Sequence, residues 1–311
     1  MKESITLRKR FCKDYNLPIN LFDSPYFEQR LKILDTQFNC VKKYELFMRE
    51  VSKFNNEEEY FAEYNRIKDT VIQFVQNSSG YVEFTNSNVP TLREFPKKEL
   101  YSDCNDGKTF FSIDMRKANF TTLSKLYPDL VGYATCWEDF MRKFTDMLHI
   151  VDSKYIRQVI LGACNPKKQT QWERFLMGNI ALNIEDKLNC CHIISVTTDE
   201  ILIECESCHS LSATTLQGMI DETMRDKVKV SKFILRKIEG FGWVKKFIQP
   251  DCADETLKDN YEFKCVEADK YHILCKLYNG VALTDDDLVF NYNGNLATYL
   301  SKTAFSLKGD L

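Results

Sequence analysis

The sequence predicts an α+β protein: an antiparallel sheet with helices on one face, preceded by a helical N-terminal region. Three observations predict it. Apolar residues recur at three- and four-residue spacing through most of residues 1–98. From about residue 99 the order becomes strand, helix, helix–loop–helix, hairpin, helix, strands. No internal repeat or low-complexity tract interrupts that order.

Taken along the chain, "FEQRLKILDTQFNCVKKYELFMREVSKF" and "NNEEEYFAEYNRIKDTVIQFVQNS" carry the helical spacing. Asn55 or Asn56 is the expected N-cap of the second, with acids in the first turn, where the helix dipole favours them. The turn-rich "NSSGYVEFTNSNVP" closes this layer. "KTFFSIDMRKANF" starts as an apolar strand and turns polar at Asp114. "NFTTLSKLYPDLVG" and "CWEDFMRKFTDMLHIV" read as helices broken at Pro128 and Gly132. "SKYIRQVILGACNPKKQTQWERFLMGNIALNIEDKL" reads as a helix, an interruption and a longer helix with Pro166 suited to its first position. After the hairpin come a helix near "SATTLQGMIDETMRD", basic strands, the acidic linker "QPDCADETLKDN" and a short tail. The expected divisions are a helical region (1–98), a core with the basic strands (99–250) and a small C-terminal α/β extension (251–311).

The 311 residues are 44% apolar and 28% charged, with 22 Phe and 15 Tyr, a composition that supports an aromatic-rich core. No apolar run approaches the roughly 18 residues of a membrane span, so no membrane association is expected. The opening "MKESITLRKRFCKDYN" has no apolar core of a signal peptide. Twelve cysteines are therefore read as reduced thiols of an intracellular protein, cytoplasmic or nuclear. A net charge of −3 leaves room for local basic patches. One is "KVKVSKFILRKIEGFGWVKK", residues 227–246, where seven basic residues, among them Lys232, Arg236, Lys237 and Lys245, face one acid, Glu239. It reads either as a lysine-protected edge strand or as a groove that follows phosphates.

"HIISVTTDEILIEC", residues 192–205, sets Asp199 and Glu200 between two apolar strands. Adjacent acids there repel each other and lose hydration. If Asp114 ends a neighbouring strand, three carboxylates converge, and divalent cations remove both penalties. Mg²⁺ favours a few carboxylates plus substrate phosphates. Two such ions suit phosphoryl transfer.

These stretches resemble the motifs of right-hand, palm-domain nucleic-acid polymerases. "FFSIDMRKANF" is similar to motif A, an apolar strand ending in a metal-binding Asp. "ISVTTDEILIE" resembles motif C in the Asp-Glu form of family A polymerases. "RQVILGACNPKKQTQWERFLMGNI" lies where motif B belongs, though it matches least well. The compact spacing is closer to the reverse-transcriptase-like form. The likeness covers about residues 105–205 and makes the expected sheet palm-like.

The resemblance implies roles. Asp114 and Asp199 would hold Mg²⁺ (or Mn²⁺), with Glu200 supporting the catalytic site. The main chain at Met115, Arg116 and Lys117 would lie along the triphosphate. Asn119 and Phe120 fall where sugar selection usually resides; with neither Glu nor Tyr at 119, ribonucleotide tolerance is expected. Arg157, Lys167 and Lys168 would contact phosphates or template. Lysines in a helix's first turn are unfavourable without an anion, or else simply point into water. The basic strands, with Lys232, Arg236 and Lys237, would serve as a thumb. There, Phe241 and Trp243 would stack on a base or fill a core.

Cys190, Cys191, Cys205 and Cys208 flank the hairpin, so its base offers a possible Zn²⁺ site, although the spacing fits no known zinc module well. Buried thiols are the commoner outcome. The expected function is a template-dependent nucleotidyltransferase, a DNA or RNA polymerase. Its partners would be primer–template, nucleoside triphosphates and accessory replication or transcription proteins. The compact size suits a virus or mobile element. A non-catalytic nucleic-acid-binding or assembly protein and a metal-dependent nuclease are the alternatives.

Overall fold

The computed structural model describes residues 3–188, 191–205, 211–248 and 260–307. The N-terminal region is helical: α1 (Ile5–Tyr15), α2 (Tyr26–Phe38), α3 (Cys40–Val51), α4 (Glu57–Gln76) and α5 (Tyr81–Asn86). The continuous pattern read over α2 and α3 is broken at Asn39, whose left-handed backbone (φ 47°) ends one helix and starts the next. Asn56 caps α4 by accepting from the Glu59 N–H at 2.8 Å, with Glu57, Glu58 and Glu59 in the first turn.

The sheet-bearing part continues with β1 (Thr109–Met115), α6 (Ala118–Leu126), α7 (Trp137–Met141), α8 (Leu148–Val151), α9 (Lys154–Gly162) and α10 (Pro166–Glu185). Then follow the hairpin β2 (Cys191–Val196) and β3 (Glu200–Cys205), α11 (Ala213–Met219), α12 (Glu222–Arg225), β4 (Val228–Ile238) and β5 (Gly242–Ile248). The C-terminal residues supply β6 (Tyr261–Lys264), α13 (Ala268–Tyr278) and a small hairpin, β7 (Val289–Tyr292) with β8 (Asn295–Thr298).

β1 to β6 form one antiparallel sheet in the order β2-β3-β1-β4-β5-β6. Its first four strands, with the intervening helices, have the β-α-β-β-α-β connectivity of a split βαβ unit. The basic strands β4 and β5 lie within this sheet beside β1, instead of standing apart as a thumb. Phe241 and Trp243 are buried, and Trp243 packs with Phe110, Phe233 and Leu235. They are core residues, because the tight turn at Gly240 and Gly242 leaves their rings against the sheet. Residues 260–307, set apart in the sequence reading, extend the sheet through β6 and pack α13 against α2.

Strand alternation separates two faces. Phe111, Ile113, Met115, Ile201 and Ile203 meet α10 and α11 residues in one cluster. Val244 and Phe263, further across, join the core of the N-terminal helices. Helices thus cover one face. Phe110, Leu202, Phe233, Leu235 and Trp243 point to the other, where Leu100 and Tyr101 give partial cover. Ser112, Asp114, Glu200 and Lys245 belong by alternation to this second face.

Candidate active site

Asp114 and Glu200 are register partners across β1 and β3. The turn carrying Asp199 is fastened to the end of β1, since the Met115 N–H donates to the Asp199 carbonyl at 2.7 Å. Thr197 shapes that turn by accepting from the Glu200 N–H at 3.0 Å. Asp114 and Asp199 consequently line one recess of about 430 Å³. Glu173 of α10 joins them, and Lys117, Lys154 and Arg157 face them. Carboxylates from the sheet and α10 therefore oppose cations from α9 and the start of α6.

The acids strain against one another. Loss of hydration, then repulsion from Glu200 and Asp199, raises the Asp114 carboxyl to about 6. Burial, then Asp199, raises Glu173 to about 7. Glu200 has settled partners: Ser112 Oγ donates to its Oε1 at 2.6 Å, and buried Lys245 stands at 3.4 Å. On the cationic side, Lys117 sits at the start of α6 with a left-handed backbone (φ 48°) and is ion-paired with Glu138. Burial lowers the Arg157 guanidinium pKa, against the pull of Glu138. Its buried Nε has no hydrogen-bond partner among the described residues.

The other expected contacts divide. Asn119 lines the recess, with its side-chain oxygen accepting from the Phe120 N–H at 2.9 Å. Phe120 does not: it is buried against Trp137 and Phe140, because it lies on the inner face of α6. Arg116 turns to β4 and donates to the Val228 carbonyl at 3.2 Å. Asn165 caps α10 by accepting from the Lys168 N–H at 3.2 Å, with Pro166 first in the helix. Lys167 is exposed, and Lys168 Nζ donates to the Ser87 carbonyl at 2.5 Å; neither lines the recess. Lys232 lies on the opposite sheet face and donates to the Leu211 carbonyl at 3.2 Å. Arg236 faces Asp106 at 3.5 Å, and Lys237 pairs with Asp103 at 3.0 Å. Arg236, Lys237 and Lys245 of the basic patch are thus each matched by an acid.

Sequence reasoning missed Glu173 and Lys154, and it placed Lys245 in the basic patch without its pairing to Glu200. Glu173 had a signal: it lies four residues from Gln169 and from Met177, both buried on the inner face of α10. Cys191 and Cys205 face each other across the hairpin and pack in the apolar cluster beneath it. Cys190 and Cys208 lie outside the described residues. Among the described residues no three His, Cys, Asp or Glu side chains form a ready-made metal centre. Nor, among them, is any helix long and apolar enough to cross a membrane. No protein-family model matches the chain, and neither a curated protein nor a solved structure does.

Proposed function

We propose that the chain is a template-dependent nucleotidyltransferase of the palm class, extending a primer with nucleoside triphosphates. The observation that carries this reading is the recess, where Asp114 and Asp199, brought from separate strands and turns, face Lys117, Lys154 and Arg157. The split βαβ order around β1 and the hairpin supports it. So does the crowding of carboxylates, which a divalent cation would relieve. Mg²⁺ is commonly held by one or two carboxylates together with substrate phosphates, without an all-protein cage, and the donor set fits that habit.

Asp114 and Asp199 are the residues that would hold Mg²⁺ or Mn²⁺. Bound there, the ions supply charge stabilisation to the entering and leaving oxygens of phosphoryl transfer. Arg157, with its unpartnered Nε, and Lys154 bind the triphosphate oxygens. Lys117 joins them when the triphosphate displaces Glu138. Asn119 stands at the sugar and leaves room for ribonucleotides. Glu200, fixed by Ser112 and Lys245, keeps the hairpin tip in register with β1. The reading carries with it an intracellular setting and accessory replication or transcription proteins as partners.

The test is primer extension with Mg²⁺ or Mn²⁺. Wild type extends the primer, and Asp199→Ala loses at least about a hundredfold of that rate. Cleavage in place of extension would assign the recess to a nuclease. Nucleic-acid binding with neither chemistry would make the chain a binding protein.

A further inference from the structure

We propose that a second site, the groove between residues 87–98 and α10, binds single-stranded nucleic acid. The groove encloses about 640 Å³. Its outer wall is an extended strap pinned at both ends. At the start, Trp172 Nε1 donates to Ser87 Oγ at 3.0 Å and Lys168 Nζ to the Ser87 carbonyl at 2.5 Å. At the finish, the Val196 N–H donates to the Pro96 carbonyl at 3.1 Å and the Lys98 N–H to the Ile194 carbonyl at 3.0 Å. The strap thereby also covers the outer edge of β2. Between the pins, Leu92 and Phe95 rest on α10 at Gly178, where an added Cβ would stand 2.5 Å from Leu92 Cδ1. The walls are formed before any ligand arrives, which lowers the ordering penalty of binding.

The lining states the ligand's chemistry. Arg93, Lys97, Lys168 and Arg174 share the groove with the half-buried rings of Phe95 and Phe175, and Glu94 is the acid among the lining residues. Arg93 is ion-paired with Glu185. Among the described residues no carboxylate pairs with Lys97 or Arg174, although the chain as a whole is acidic. Cations interleaved with aromatic faces serve phosphates and unstacked bases together. A duplex keeps its bases stacked inside and offers nothing to the rings. An acidic peptide would use the cations and leave the solvent-facing parts of the half-buried Phe95 and Phe175 rings uncovered. A flexible single strand uses both. The site is separate from the recess, so its binding is measured without chemistry.

The experiment is fluorescence anisotropy of a labelled oligothymidylate, in chelator and over a series of salt concentrations. Wild type binds, and the charge control Lys302→Glu, on the far C-terminal segment, binds alike. The double variant Lys97→Glu/Arg174→Glu weakens binding by at least about tenfold and reduces the salt slope by roughly 1.4, the share of two phosphate contacts on a single strand. Phe175→Ala weakens it by roughly tenfold. Thermal melting checks that each variant is folded. If the double variant fails that check, Arg174→Gln, at an exposed side chain, is expected to weaken binding by roughly threefold. Unchanged affinity in these variants overturns the proposal, and so does polyglutamate competing as well as the oligonucleotide.

Discussion

Asp114 stands where its charge is least welcome on the free protein. Its carboxyl titrates at about 6, above the ordinary 3.8, because hydration is lost and Glu200 and Asp199 repel it. A raised folded value means that the folded protein holds the proton more tightly than the unfolded chain between pH 4 and 6. Stability from this group is therefore full below about pH 4 and lost as pH rises through 6. Full shielding would make the difference worth about 3 kcal/mol. Asp114 is solvent-exposed, and screening reduces it to about 1 kcal/mol. Asp114→Asn, which removes the charge and little else, is expected to melt about 2 °C above wild type at pH 7.5. That gain should vanish near pH 4. Adding Mg²⁺ should narrow it by stabilising wild type alone. A variant less stable than wild type at pH 7.5 would show that the carboxylates do not repel one another. Asp114 and Asp199 were legible in the sequence because each is an acid set against an apolar strand. Glu173 was hidden because one acid on a mostly polar helix looks like solvated surface until its face is known.

At the scale of the element, β5 shows why a strand's orientation escapes the sequence. "GWVKKFI" places Lys245 and Lys246 side by side, so one must face each side, and two lysines do not say which. Pairing with β4 decides it. Lys245 is buried beside Glu200, with its Nζ 4.6 Å from the centre of the Phe233 ring. Lys246 remains on the helix-covered side near Tyr278, partly open to solvent. Removing Lys245 leaves Glu200 with Ser112 and without a countercharge in a site only partly reached by water. Lys245→Met is expected to destabilise by about 2 kcal/mol. Lys246→Met should stay within about 0.5 kcal/mol. Urea unfolding compares them, and equal losses would deny the Glu200–Lys245 pair any special place. The hairpin, β1 and α10 were readable because runs of one periodicity end at Asp, Asn or Pro. The sheet's far side was not, since the acidic stretch between β5 and β6 reads as a linker to a separate extension although β6 pairs directly with β5.

For the whole molecule, the question is whether the helical N-terminal layer is an appendage or a part of the site. One core answers it. Phe11, Phe47, Tyr60 and Val71 from α1, α3 and α4 share a single buried cluster with Phe120, Trp137, Phe140 and Ile160 of the sheet-bearing part. A polar tie crosses the same boundary. Asp14 of α1, fully buried, accepts from Tyr64 Oη at 2.8 Å and from Ser153 Oγ at 2.9 Å. Ser153 also caps α9 by accepting from the Ile156 N–H at 3.0 Å, and α9 carries Lys154 and Arg157 into the recess. The N-terminal helices thus fix the cationic wall of the recess. Two outcomes follow from that dependence. Ser153→Ala removes a cap worth about 1 kcal/mol and leaves the buried Asp14 a donor short. It should destabilise by about 2–3 kcal/mol in total and raise the KM for triphosphate, while oligonucleotide binding at the groove, which Ser153 does not line, stays unchanged. A chain lacking residues 1–98 would expose the other half of the cluster. It should show no cooperative melting by circular dichroism, whereas adding residues 1–98 as a separate chain restores part of it. A truncated chain that melts cooperatively on its own would mean that the sheet and its helices hold the recess unaided, and the tie through Asp14 would then be dispensable.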